Sequence, residues 1–259
     1  MRIGMTENLQ KMVNRHGSVL KAYRARGGGA AGAIAGGVTL FISGVLLGGV
    51  SMLGLGTRGL VIGAAFWAPG LLLIILGTVM RNKRINGYLD YYQKETGYSA
   101  GELQAADREL MGPGVGVIAG KTNRAKEEVM FMISEHYFMS VWPNKGCYLV
   151  KLEDIVAAFH SCQIPFISMY LEGLYVISKR DVAGKAQVNP LTKKQYNGYY
   201  NAIMSEQQNA EAVCMEAVEE IAKRVPHVIR HQHIVVNGEN FDLLSMNNWQ
   251  ADWARILGA

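Results

Sequence analysis

Two apolar runs dominate the pattern, Ala30–Leu53 and Leu60–Met80, and neither holds a charged side chain. A helix rises about 1.5 Å per residue and bilayer hydrocarbon is roughly 30 Å thick, so each run is long enough to span. Only Gly54–Gly59 separates them, which predicts an antiparallel helical hairpin over residues 28–80. In the arm before it, residues 1–27, apolar residues fall at Met5, Leu9, Met12, Val13, Val19, Leu20 and Tyr23. Those intervals make one stripe of a basic amphipathic helix from Met5 to Tyr23, which either lies in a membrane interface or packs on the domain that follows. After Met80 the helical face continues through Ile85, Tyr88, Leu89 and Tyr92 until Gly97. Ser99 and Glu102 then have capping-box spacing for a helix to about Met111, so residues 81–112 read as juxtamembrane helices.

From Val115 the period shortens. Val115–Ala119, Val129–Ser134, Tyr137–Trp142, Cys147–Val150, Ile155–His160, Ile167–Leu171, Leu174–Ile177 and Gln187–Asn189 are rich in β-branched and aromatic residues. Turn signals separate them at Glu135-His136, Pro143–Gly146, Glu172-Gly173 and Asp181–Gly184. Such short connections predict an antiparallel meander, not βαβ units. Leu191–Val225 keeps a helical period, with Ser205 and Gln208 dividing it into two helices and Pro226 stopping it. The tail adds a strand at His233–Val236, an Asn237-Gly238 turn and a helix from about Asn248 to Leu257. The fold class is therefore α+β, a transmembrane hairpin followed by an antiparallel sheet domain over 113–259 with C-terminal helices.

Charge orients the hairpin. Arg2, Lys11, Arg15, Lys21, Arg24 and Arg26 precede the first span, Arg81, Lys83, Arg84 and Lys94 follow the second, and Arg58 stands alone between them. Positive flanks face the cytoplasm, so both termini and the sheet domain are expected inside a plasma membrane. The 27 residues of basic arm and the length of the first run argue for an anchor and against a cleaved signal peptide. Cys147, Cys162 and Cys214 read as reduced thiols of a cytoplasmic domain. The net charge of +5 is accounted for by flanks meeting anionic headgroups, and nucleic acid is not an expected partner. Pro69 predicts a kink in the second span. Glycines recur at helical spacing in both spans: Gly28, Gly32, Gly36, Gly44 and Gly48 in the first, Gly63, Gly70 and Gly77 in the second. Small residues so spaced let backbones approach, within the hairpin, in a homodimer or against a partner membrane protein.

Catalytic motifs fail on physical grounds. Gly97-Tyr98-Ser99-Ala100-Gly101 fits a nucleophile elbow, but a polar stretch stands where that motif needs a buried strand, and Ser99 is better placed as a helix cap. Gly120-Lys121-Thr122 ends like a phosphate-binding P-loop, yet the earlier glycines are misplaced and no helix pattern follows. His227, His231 and His233 offer imidazoles for a metal without a neighbouring acidic or thiolate ligand, so a metal-responsive regulator ranks last and no metal or cofactor is expected. Two cationic connections remain, Lys121, Arg124 and Lys126 in the first and Lys179, Arg180 and Lys185 in a later one. If both open on one end of the sheet domain, they form a patch for lipid phosphates.

Three stretches, Val129–Phe138, Leu152–Ile155 and Leu174–Ile177, with the helix ending Val218–Pro226, resemble small bacterial pleckstrin-homology-like (PH-like) domains. Such domains occur in uncharacterised bacterial two-span membrane proteins. The resemblance covers about 115–226 and implies a small β-barrel capped by a helix, and a binding module with no chemistry of its own. The expected function is a membrane-anchored scaffold or sensor binding a protein partner or anionic headgroups. An enzyme acting on a membrane-associated substrate through residues distant in sequence is the competing class.

Overall fold

A computed structural model describes the chain except residues 27–28, 123–126, 143–145, 164–169, 185–186, 189–194, 197–201, 204–206, 209, 247 and 259. The chain divides into two compact units. One joins Met1–Arg15 to Gln104–Trp142 and Cys147–Ala259, and the other is built on His16–Leu103.

The first elements are a two-residue strand β1 (Arg2–Ile3) and helices α1 (Glu7–His16) and α2 (Val19–Arg26). The expected single helix is thus two, because Gly17 takes a left-handed φ of 69° and the Ser18 hydroxyl accepts from the Lys21 amide (3.0 Å) to start the second. The predicted stripe is nonetheless buried at Leu9, Val13, Val19, Leu20 and Tyr23.

The hairpin consists of α3 (Ala30–Leu55) and α4 (Arg58–Asn86). The helices run past the expected ends, and the connection shrinks to Gly56-Thr57. Pro69 does not interrupt α4, although the backbone bond to Ala65 is missing there. The seam is made of glycine. A Cβ on Gly63 would lie 2.7 Å from both the Gly44 carbonyl and the Gly48 Cα. One on Gly70 would meet Phe41 and Gly37, and one on Gly77 would meet Ala30 and Ile34. Gly44, Gly48, Gly63, Gly70 and Gly77 therefore serve packing inside the hairpin, joined by Gly37, which spacing did not single out. Gly32 and Gly36 face open space, and Gly28 lies outside the described residues. Away from the seam the hairpin exposes its large apolar side chains, including Leu46 (64%), Val50 (69%), Val61 (72%) and Leu72 (58%).

Gly87 separates α4 from α5 (Tyr88–Thr96), which ends on a left-handed Gly97. Helix α6 (Ala100–Leu110) begins with the predicted capping box: the Ser99 amide donates to Glu102 Oε2 (2.8 Å) and the Glu102 amide to Ser99 Oγ (3.3 Å). Ser99 is engaged as a cap.

The sheet unit contains a meander of β2 (Gly116–Thr122), β3 (Glu127–Ile133), β4 (Tyr137–Trp142) and β5 (Gly146–Lys151), with β1 antiparallel on the outer edge of β2. Gly116 makes room for that docking: a side chain there would collide with Met1. A 3₁₀ turn, Leu152–Asp154, then carries the chain into a second sheet of β6 (Ile155–Gln163) and β7 (Tyr170–Ser178). Glu172-Gly173 is not a turn; β7 runs through it, merging two expected strands. The expected turn at Asp181–Gly184 contains instead a short helix α7 (Lys179–Ala183) with its own capping box from Ser178 and Asp181. Two-residue strands follow, β8 (Gln187–Val188), β9 (Gln195–Tyr196), β10 (Ala202–Ile203) and β11 (Gln207–Gln208). The helix expected over Leu191–Ser205 is absent where this stretch is described: Ala202 and Ile203 pair with Leu174 and Gly173 of β7. A short apolar run carries no period strong enough to resist such pairing. Helix α8 (Ala210–Arg224), the hairpin β12 (His233–Val236) and β13 (Glu239–Asp242), and α9 (Trp249–Leu257) complete the chain. Asn237 and Gly238 both have positive φ, as a tight turn of that hairpin requires.

Among the described residues no sheet closes on itself, so the expected barrel is instead two open antiparallel sheets. The 3₁₀ turn leads the chain away from β5, and α8 fills the space between the sheets. Its Val213, Cys214, Ala217, Val218 and Ile221 share one core with Phe131, Ile133 and Phe138 of the first sheet and Leu174 and Val176 of the second. The other face of β6–β7 builds a second core, where Phe159 and Tyr175 stack at 5.5 Å and Trp253 of α9 is fully buried. Burial on both faces explains why these strands read as continuous apolar runs. After Pro226 the chain hydrogen-bonds to β6, Ala158 donating to the Ile229 carbonyl (2.9 Å) and Ile229 to that of Val156 (3.0 Å).

Gly63→Leu should prise the hairpin apart and cost upwards of about 2 kcal/mol, while Gly36→Leu stays within about 0.5 kcal/mol, in thermal unfolding of the detergent-solubilised protein.

Candidate functional site

In the antiparallel meander, alternate connections lie at opposite ends. The β3–β4 turn, the Leu152–Asp154 turn and the end of α8 surround a groove of about 440 Å³, lined by Glu109, His136, Lys151, Glu153, Arg224 and His227 among others. Glu109, at the end of α6, organises it. Its Oε2 accepts from the Ser134 hydroxyl (3.0 Å) and the His136 amide (3.1 Å), and its Oε1 lies 3.0 Å from His136 Nδ1. A carboxylate only accepts, so Nδ1 is the donor in this contact. The turn is closed further by Ser134 donating its amide to Tyr137 O (2.9 Å) and by Leu152 donating to His136 O (2.8 Å). On the α8 side Glu220 binds Lys223 (2.6 Å) and Arg224 (2.9 Å), which holds its carboxyl below the ordinary value, first through the Lys223 hydrogen bond.

This arrangement is a mixed-charge surface shaped by hydrogen bonds. Its lining includes no serine, threonine or cysteine, and the Glu109 carboxylate is committed to the turn. Chemically it suits recognition of a polar or charged surface. Glu109 did not stand out in the sequence, and His136 was marked only as part of a turn, because they lie 27 residues apart and fit no motif.

The cationic connections separate. Lys121 pairs through its backbone with Glu127 at the β2–β3 end. Lys179 and Arg180 lie on α7, and Lys179 Nζ is 2.9 Å from the Glu153 carbonyl, at the opposite end of the meander. Arg124, Lys126 and Lys185 lie outside the described residues, and the structure does not bring Lys121 and Lys179 together. His227 lines the groove, His233 is exposed on β12, and His231 precedes that strand. Among the described residues no group of three His, Cys, Asp or Glu side chains is placed to hold a metal ion.

Beside Lys179, Asp181 accepts from the Ser178 amide (2.8 Å) and hydroxyl (2.6 Å), with the Tyr148 hydroxyl at 3.5 Å. Burial raises its pKa above the ordinary value, more than these bonds lower it. No protein-family profile, curated protein or solved structure matches this chain.

Glu109→Ala should cost about 1–3 kcal/mol in urea unfolding by leaving the turn donors unpaired, with Glu109→Gln costing less. A carboxyl raised by folding contributes stability that is complete below its unfolded pKa and is lost as pH rises through the folded one. Asp181→Asn, which keeps an acceptor, should therefore gain on the wild type from mildly acidic to neutral pH and lose that advantage in strong acid, as read from melting temperature against pH.

Proposed function

We propose that this chain is a two-span plasma-membrane protein that presents a PH-like interaction module in the cytoplasm, binding a protein partner or anionic lipid headgroups and performing no chemistry of its own. The observation that carries the reading is the exterior of the hairpin. Two helices long and apolar enough to cross a membrane have only 17% of their most apolar windows buried, so their Leu, Ile and Val side chains have little protein cover. In water such a surface would drive association; in hydrocarbon it is the matched solvent.

Two further features support the arrangement. Strand β1 precedes the hairpin and pairs with β2, which follows it, so both flanks belong on one side of any bilayer. The charge asymmetry about Arg58 favours the cytoplasm for that side. For the module, the order of a four-strand meander, a second sheet and a helix packed between the two resembles that of PH-like domains, with open sheets among the described residues in place of the barrel. The groove organised by Glu109 is the surface best built for a partner, because its shape is held by hydrogen bonds on both sides.

Reporter fusions at the N-terminus, beside Arg58 and after the last residue test the topology. Cytoplasmic signals at both ends and an external one at Arg58 are expected. An external C-terminal signal would overturn the cytoplasmic module.

A further inference from the structure

The groove at the β3–β4 turn, about 440 Å³, is lined by charges that are unevenly paired. Glu109 is occupied by the Ser134 hydroxyl and by the His136 amide and ring. Arg224 is answered by Glu220 (2.9 Å). Lys179, outside the lining, lies against Asp154 (3.7 Å) and the Glu153 carbonyl (2.9 Å). Two carboxylates of the lining are left, Glu135 and Glu153. Both are exposed, and among the described residues their side chains make no hydrogen bond or ion pair.

The backbone sets where these carboxylates stand. Glu135 lies between Ser134 and His136, in the turn that Glu109 clamps, and Glu153 lies in the 3₁₀ turn whose Leu152 amide donates to the His136 carbonyl (2.8 Å). The two turns are thus bonded to each other, and their glutamates border one groove. Tyr137, Leu152 and Val225 are buried and supply the apolar part of its lining. An apolar lining edged by carboxylates is the complement of a Lys or Arg side chain, whose methylene stem covers apolar surface while its charged end stays at the edge. An anionic headgroup would meet the same carboxylates as like charges, at a cost.

We propose that this groove takes a Lys- or Arg-bearing segment of a partner protein, with Glu135 and Glu153 receiving its cationic ends. The proposal rests on the reading of the chain as an interaction module, and it assigns the groove to protein and not to lipid. The chain as a whole carries +5 and repels cations, so capture of a basic peptide reports the groove and not the bulk field.

The test uses the full chain in neutral detergent at about pH 8, where an ordinary imidazole is uncharged. It is titrated into a short fluorescein-labelled peptide of alternating lysine and alanine, or into the glutamate–alanine counterpart, and followed by fluorescence anisotropy. The lysine peptide should bind and the glutamate peptide should not. Glu135→Gln with Glu153→Gln should weaken the lysine peptide by ~3-fold or more, the scale of two exposed ion pairs, and added salt should weaken its binding to the wild type. Glu211→Gln, at the other end of α8, should leave it unchanged. Wild-type affinity in a folded double variant overturns the assignment, as do an equal loss in Glu211→Gln, equal binding of the glutamate peptide, and no binding of the lysine peptide. If the double variant does not fold, the single variants decide, since wild-type affinity in both also overturns it. In parallel, the protein is reconstituted in phosphatidylcholine vesicles and washed with alkaline carbonate. Loss from the vesicles overturns the two-span reading, whereas retention without capture of the lysine peptide overturns the groove assignment alone.

Discussion

The pairing of Arg2 and Ile3 with Val117 and Gly116 is the constraint around which the chain is arranged. It is two residues long, yet it makes the segment before the hairpin and the segment after it parts of one sheet. The apolar helices are then an excursion from a folded unit, and an antiparallel pair is the simplest excursion that returns. Glycine makes the return close. With Gly44 against Gly63 and Gly37 against Gly70, the helices meet backbone to backbone, and the large side chains turn outward. The seam and the apolar exterior are two results of one residue pattern.

Much of this was legible in the sequence, for identifiable reasons. Run length and missing charge located both long helices to within a few residues. The capping boxes and turns that depend on adjacent residues, at Ser99–Glu102 and Asn237-Gly238, stand as read, because local hydrogen bonds and φ preference decide them. Features set by distant partners were not legible. Met1–Ile3 carries no strand signal, and its docking depends on the bare backbone of Gly116. Glu172-Gly173 looks like a turn but is held extended by β6 and β10. Ala202-Ile203 reads as helix until β7 offers it an edge.

The candidate site divides the same way. The cationic residues of the strand connections were visible as charge, but only the register shows that Lys121 and Lys179 belong to opposite ends. The turn at His136 was visible but its clamp was not, since nothing local marks a glutamate, Glu109, that will hold a turn two strands away. The stacking of Arg24 on Tyr91 joins α2 to α5 across the whole hairpin, a sequence separation at which no periodicity speaks.

The placement of β1 also bears on how the protein is made. Its strand partner begins at Gly116, more than a hundred residues later, so the first strand leaves the ribosome long before the surface it will cover exists. At ~5–20 residues per second that wait is about 5–20 seconds. During it the two apolar helices are completed. The sheet unit can close only after both hairpin helices have been synthesised, which makes the late-closing edge strand a record, in the finished molecule, of the order in which its parts were made.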